Sequence, residues 1–391
     1  MSVESWHNAT KLLTSRIVIF LCRAKYEYFG LTKAIKAPYF VVGNHNTVFD
    51  AFLVSFGLKE AVRYVTSDLY FRNKLVAFLA KKGGCIPKAK FVSDVSVIKA
   101  LVKCTKEERA VGLFPEGYRN WDGFTDELLP GTAKLVKLLK VPVVVVTTQG
   151  GYLSMPRWGQ HHRRGPMTLS YRLTLTTEAI TQLPVAEIER ILTCALAHDD
   201  NEAQRIRPIP YPGRKLAQRL ELILYCCPHC GKFETMISEN DIFRCSACDY
   251  RVKYDEYGFL NPIEPFPFYY DTPHQWREFC KKSMRSFINS SEHDIVLFSR
   301  KIELYRENGK RAKFKKTDSG IVRLYSDRFE FAGERAPYIF LFKNIKGLTL
   351  SKRNMIDFYD QHVKYRFDPC SETRSATMWE DAYRILSGDA D

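Results

Sequence analysis

Two short stretches of this 391-residue chain carry side chains able to do chemistry together. In Asn44-His45-Asn46-Thr47-Val48-Phe49-Asp50 a histidine is followed five positions later by an aspartate. In Phe114-Pro115-Glu116-Gly117-Tyr118-Arg119 a glutamate and an arginine bracket a turn residue. Histidine is suited to taking a proton from a hydroxyl near neutral pH. An aspartate on its other ring nitrogen would fix the tautomer and stabilise the imidazolium that forms. A spacing of five does not align on one helix face, so His45 is expected in a loop and Asp50 in the first turn of the next helix.

Both stretches follow short apolar runs, residues 39–42 and 110–114, that read as strands. Strands ending in polar loops and separated by helix-like sequence bring those loops to the C-terminal edge of a parallel sheet, where such folds place their chemistry. Residues 48–56 read as a buried helix entered at Asn46 or Thr47, both good caps. Residues 61–66 read as a strand, 71–79 and 93 onward as helices, and residues 129–132 open a further helix that ends near 139. A valine-rich strand over 141–146, a strand over 167–174 and a helix over 184–196 complete an alternating pattern, which argues for an α/β domain. Residues 12–29 alternate apolar with basic and aromatic positions and are expected to form an amphipathic helix, lying at a membrane interface or packed on the domain. His161-His162-Arg163-Arg164 reads as a basic loop, solvated or touching headgroups.

These segments resemble the glycerolipid acyltransferases of the 1-acylglycerol-3-phosphate acyltransferase (PlsC-like) family. Its first motif is Asn-His-(four residues)-Asp and its third Phe-Pro-Glu-Gly-(residue)-Arg; the likeness covers about the first half of the chain. The second motif is matched at Gly84 and Ile86, with Lys88 where arginine is usual, and the fourth at Pro142. What sets this apart from a chance His–Asp pair is the family order of all four. The resemblance implies a peripheral membrane enzyme that moves a fatty acyl group from acyl-CoA or acyl carrier protein to the free hydroxyl of 1-acylglycerol 3-phosphate (lysophosphatidate), giving phosphatidate. His45 would be the general base and Asp50 its partner. Asn44, Lys88, Glu116, Gly117 and Arg119 would bind substrate, Lys88 or Lys90 supplying a cation as a point charge. Glu116 is expected to orient Arg119 or bond a glycerol hydroxyl. The acceptor hydroxyl attacks directly, so a ternary complex is expected and no acyl-enzyme. A different lysophospholipid acceptor is the alternative that Lys88 raises.

Further along, Cys227-Pro228-His229-Cys230 and Cys245-Ser246-Ala247-Cys248 form two Cys-x-x-Cys pairs around a hairpin-like stretch. Cys227, Cys230, Cys245 and Cys248 at this spacing can close tetrahedrally on a structural Zn2+. Beyond it come strand-like segments over 294–298, 301–305, 320–325, 328–331, 338–342 and 355–359, several of them alternating, and a helical pattern over 375–386, together resembling a pleckstrin-homology-like or GRAM-like barrel. The expected architecture is therefore an α/β acyltransferase domain with a mostly parallel sheet (residues 1–221), a small zinc ribbon (222–260), and a C-terminal antiparallel β domain closed by a helix (261–391). A formal net charge of +15 implies an anionic partner. An anionic membrane surface and a basic hairpin over 300–316 fit it. So would a nucleic-acid-binding protein with an inactive first domain, but the ribbon's loop, residues 232–241, is not basic, whereas a nucleic-acid ribbon should show cations and aromatics there. No run reads as a signal peptide or a membrane span, so the expected location is cytoplasmic and peripheral on the membrane.

Overall fold

An unbroken run of valines is stable in a strand only when both faces are covered, and Val143, Val144, Val145 and Val146 are all buried. They lie within the first of two sheets that dominate the chain. The computed structural model describes residues 5, 19–20, 22–30, 35–67, 71, 74–88, 95–292, 294–308, 313–371 and 374–388. The chain divides into two compact units, one of residues 1–157 and 162–213, the other of residues 158–161 and 214–391.

The first unit is built on a seven-stranded sheet of β1 (Ala24–Phe29), β2 (Phe40–Gly43), β3 (Val62–Ser67), β4 (Ile86–Lys88), β5 (Ala110–Leu113), β6 (Val143–Gln149) and β7 (Met167–Leu175), in the order β1-β7-β6-β2-β5-β3-β4. Strands β6, β2, β5, β3 and β4 run parallel, while β7 is antiparallel to β6 and β1 follows β7. Helices α1 (Asp50–Phe56), α2 (Lys74–Lys82), α3 (Val95–Lys106), α4 (Thr132–Leu139), α5 (Gly151–Ser154), α6 (Thr177–Gln182), α7 (Val185–Leu196) and α8 (Asp200–Ile206) connect them. One face of the sheet packs Phe40, Val42 and Val145 against Val97 and Leu101 of α3, Val136 of α4 and Leu192 of α7. The other packs Tyr39, Val41, Val144 and Tyr171 against Leu53 and Val54 of α1.

The helix expected over residues 12–29 is corrected at its end: Ala24–Phe29 is a strand in register with β7, Tyr26 opposite Leu169. Alternation there had period two, which pairs a strand edge; most of residues 12–21 lie outside the described residues. Helix α1 begins at Asp50, and neither Asn46 nor Thr47 caps it. Arg163, expected in an open basic loop, is buried, and its N–H donates to Ser154 O at 2.9 Å.

In the second unit a four-stranded antiparallel sheet, β8 (Met236–Glu239), β9 (Ile242–Cys245), β10 (Arg251–Tyr254) and β11 (Leu260–Pro262), carries the cysteine pairs. The 17-residue helix α9 (Pro273–Asn289) follows, capped by Thr272 with proline at its first turn. Strands β12 (Phe298–Asn308), β13 (Lys313–Leu324), β14 (Arg328–Gly333), β15 (Pro337–Leu341), β16 (Ile345–Ser351), β17 (Met355–Asp360) and β18 (Val363–Asp368) then form an antiparallel sheet in the order β15-β14-β13-β12-β18-β17-β16. It is sealed by α10 (Thr377–Ser387), whose Trp379 and Tyr383 rings lie 6.2 Å from Phe329. The cysteine-bearing part is fastened to this array: Trp276 Nε1 donates to Cys226 O at 2.8 Å, Tyr225 Oη to Asp381 at 2.8 Å, and Ser375 Oγ to Leu222 O at 2.8 Å. Arg300, expected on a basic surface, is instead buried against Glu234 and donates to Ser375 O at 2.9 Å. Lys316 of the same hairpin pairs with Glu303, while Lys310 and Arg311 lie outside the described residues. Among the described residues no helix is long and apolar enough to cross a membrane.

One lysine closes the end of a helix in the first unit. Lys137 Nζ donates to Ile180 O, Thr181 O and Leu183 O at 2.7, 2.9 and 2.6 Å, occupying carbonyls that the end of α6 leaves unpaired. Lys137→Met keeps the stem and removes the donors; it should lower unfolding free energy by about 1–3 kcal/mol in chemical denaturation.

Candidate active site

Strand β2 ends at Gly43, where a Cβ would come within 3.0 Å of the Phe114 ring and 3.3 Å of Val146 O. The chain then turns into the histidine loop. His45 Nδ1 lies 2.8 Å from Asp50 Oδ2, and the same oxygen accepts from the N–H groups of Asn46 and Thr47 at 2.7 and 2.9 Å. Thr47 Oγ1 donates to the other carboxyl oxygen at 2.5 Å. Asp50 is fully buried, so these donors replace the water it has lost. The imidazole stacks on Phe114, centroids 4.6 Å apart, and keeps a quarter of its side-chain surface exposed. One ring nitrogen is thereby held by a carboxyl group while the ring retains access to solvent.

The second loop, after β5, comes to the same edge. Glu116, expected to orient Arg119 or bond a glycerol hydroxyl, is buried and bonded to neither Arg119 nor solvent-facing groups but to backbone. Its carboxyl accepts from His45 N–H at 2.6 Å and from Asp126 N–H at 3.2 Å, so it ties the two loops together. Gly117 sits at φ +76°, and a Cβ there would come within 2.8 Å of Leu129 Cδ1; only glycine makes this turn without strain. Arg119 is half-buried, and its carbonyl accepts from Arg157 Nη1 at 3.0 Å. Asn44, expected at the substrate, is buried and exchanges two hydrogen bonds with the Thr148 backbone, at 2.7 and 3.1 Å. It pins β2 to β6. Lys88 ends the edge strand β4, with β5 and β3 between it and β2. By strand spacing that is roughly 14 Å from the histidine strand, so Lys88 is not part of this bonded cluster. Lys90 lies outside the described residues.

Sequence reasoning passed over several residues that hold the loops. Asn120 N–H donates to His45 O at 2.8 Å and its side-chain amide donates to Asn46 Oδ1. Asn46 Nδ2 in turn donates to Thr148 O at 2.7 Å. Trp121 and Asp122, without evident purpose in the sequence, are buried; the Arg157 guanidinium lies 3.7 Å over the Trp121 ring. Beyond β6, Asp200 accepts from the N–H groups of Gly150 and Tyr152 at 2.6 and 3.1 Å and from His198 Nε2 at 2.9 Å. Nothing in their spacing marks such long-range contacts.

The cysteine pairs of the second unit converge. The Sγ atoms of Cys227, Cys230, Cys245 and Cys248 all lie within 4.8 Å of one another, with 3.7 Å between Cys227 and Cys248 and 3.8 Å between Cys230 and Cys245. Tetrahedral thiolates about 2.3 Å from a zinc ion would stand about 3.8 Å apart. These distances are too long for disulfides and fit a single metal ion. The neighbouring His229 Nδ1 is 3.0 Å from Tyr269 Oη.

Burial, reinforced by the nearby Asp126 carboxylate, holds the Glu116 carboxyl well above its ordinary value, against the two N–H donors that favour its ionised form. The stability contributed by the neutral acid is complete below the ordinary glutamate range, about 4.3. It is withdrawn as pH rises through the raised value. Glu116→Gln removes this titration, so thermal melts from pH 5 to 8 should show wild type losing stability relative to Glu116→Gln as pH increases.

Residues 24–149, from β1 to the end of β6, match the family model described as Acyltransferase. No curated protein matches the chain. Among solved structures it is similar to the 1-acyl-sn-glycerophosphate (LPA) acyltransferase PlsC from Thermotoga maritima, at 15% identity and a TM-score of 0.43, over 51% of this chain and 79% of that one. The matched segment contains the Asn-His loop, the Phe-Pro-Glu-Gly loop and the parallel strands that deliver both. The match to the Acyltransferase model thus falls on the segment that holds His45, Asp50 and Glu116.

Proposed function

We propose that the protein is a peripheral membrane acyltransferase that transfers a fatty acyl group from acyl-CoA or acyl carrier protein to the free hydroxyl of 1-acylglycerol 3-phosphate. The observation that carries this reading is His45 Nδ1 at 2.8 Å from buried Asp50, in a loop tied to the Glu116 loop. The acceptor hydroxyl gives its proton to His45 Nε2 as its oxygen attacks the thioester carbon. Asp50 stabilises the imidazolium, and collapse of the tetrahedral intermediate expels the thiolate, which recovers the proton. No side-chain nucleophile takes part. Arg119 and the backbone of the Glu116-Gly117 turn are the groups assigned to the acceptor's phosphate, with Lys88 at longer range. Asn44 and the Glu116 side chain act by positioning.

The cysteine quartet is assigned to one structural Zn2+ in a zinc ribbon, which together with an acyltransferase domain and a pleckstrin-homology-like or GRAM-like barrel would make three domains. Support for the barrel is the meander of β12 to β15, the meander of β16 to β18, and the closing helix α10. The charge of +15 supports an anionic membrane surface as partner.

Transfer of labelled acyl groups to 1-acylglycerol 3-phosphate should fall by about 10²- to 10⁴-fold in kcat for His45→Ala. Asp50→Asn should also lower kcat, through the wrong tautomer, with little change in KM. Absence of transfer by wild type from either donor would overturn the acceptor assignment. The purified chain should carry one equivalent of zinc, and Cys245→Ser should lose it and melt the cysteine-bearing sheet; structural zinc sites contribute on the order of 10 kcal/mol. Zinc below a tenth of an equivalent (about 0.1) in elemental analysis would sink that assignment.

A further inference from the structure

Helix α2 buries none of its residues. Nine residues are too few for a helix to stand on propensity alone, so such helices are held by an apolar face that something covers. Leu75, Phe78 and Leu79 recur at helical spacing and are exposed, Phe78 at 54%. Phe52 of α1 is exposed too, at 55%, as is Phe49 just before that helix. Connections β2–α1–β3 and β3–α2–β4 step the same way across the sheet, and β4–α3–β5 steps back. With crossovers of one hand, α1 and α2 share a face and α3 takes the other, as the packing of α1 and α3 on opposite faces requires.

We propose that this face of α1 and α2 is where the protein rests on an anionic bilayer. Lys74, Lys81 and Lys82 edge the apolar residues of α2, which contains no acidic side chain, and Lys82 Nζ lies 5.7 Å from the Phe78 ring centroid. Apolar side chains bordered by lysines suit the boundary between headgroups and acyl chains. A second copy of the chain would set lysine against lysine across a two-fold axis. Val48 and Phe49, both exposed, directly precede Asp50, the partner of His45. A lysophospholipid could reach His45 from the bilayer without crossing water. That last step rests on the proposed reaction; the docking does not.

The test is cosedimentation of the full chain with vesicles of phosphatidylcholine containing phosphatidate, and of phosphatidylcholine alone. The Phe78→Glu/Leu79→Glu double variant should lose partitioning to the acidic vesicles on the order of tenfold or more. Lys81→Glu/Lys82→Glu should lose it selectively for those vesicles. Both should keep the wild-type melting temperature, as exposed positions do. Unchanged partitioning of folded variants would overturn the proposal, as would a wild-type dimer that the first variant dissociates in sedimentation. Should the double variant fail to fold, Phe78→Trp serves: extra quenching by brominated lipid is expected, and its absence overturns the proposal. Binding is read without turnover, so missing acyl transfer would fall on the reaction and leave the docking standing.

Discussion

The histidine loop depends on the carboxyl group of Asp50. Removed from water, it must be met by donors, and the chain supplies them locally: the ring of His45, the N–H groups of Asn46 and Thr47, and the Thr47 hydroxyl. Meeting that demand fixes the loop, and fixing the loop aims the imidazole. Glu116 extends the constraint across strands, because its own burial is tolerable only while His45 and Asp126 offer their N–H groups. Two buried carboxyl groups thus set the conformations of two loops.

Some of this was legible in the sequence because it was local. A histidine and an aspartate five apart, each at the end of a different kind of element, state their pairing within one turn. Apolar runs broken by glycine or proline state where strands end, and the strands found after residues 39, 61, 110, 141 and 167 follow from them. Other features were illegible because they are contacts between remote segments. Glu116 and His45 are 71 positions apart, and Asn44 and Thr148 are 104 apart. No pattern of residue types distinguishes a glutamate that binds ligand from one that binds a neighbouring loop.

The second unit divides along the same line. The cysteine pairs declare themselves by spacing, and the alternating strands β13, β14, β15 and β17 by period. Strands β16 and β18 were missed, since Ile345–Ser351 and Val363–Asp368 are bounded by short turns and interrupted by lysines. Helix α9 was missed although Thr272-Pro273 is a good helix start. Its charged stretch masked Trp276, Cys280 and Met284, which it buries along with Pro273 and Arg277.

The order of strands in the C-terminal sheet carries a consequence for synthesis. Strand β12 pairs with β18, joining the first strand of the array to the last, Leu304 opposite Phe367. While the ribosome is still extending the chain, β12 to β15 can assemble, but the outer edge of β12 has no neighbour until residue 368 has emerged. Residues 303–306 of that edge are paired by β18, and an unpaired edge recruits other strands readily. A nascent or truncated chain lacking β18 would therefore meet its neighbours edge first, and self-association would compete with closure at that one seam.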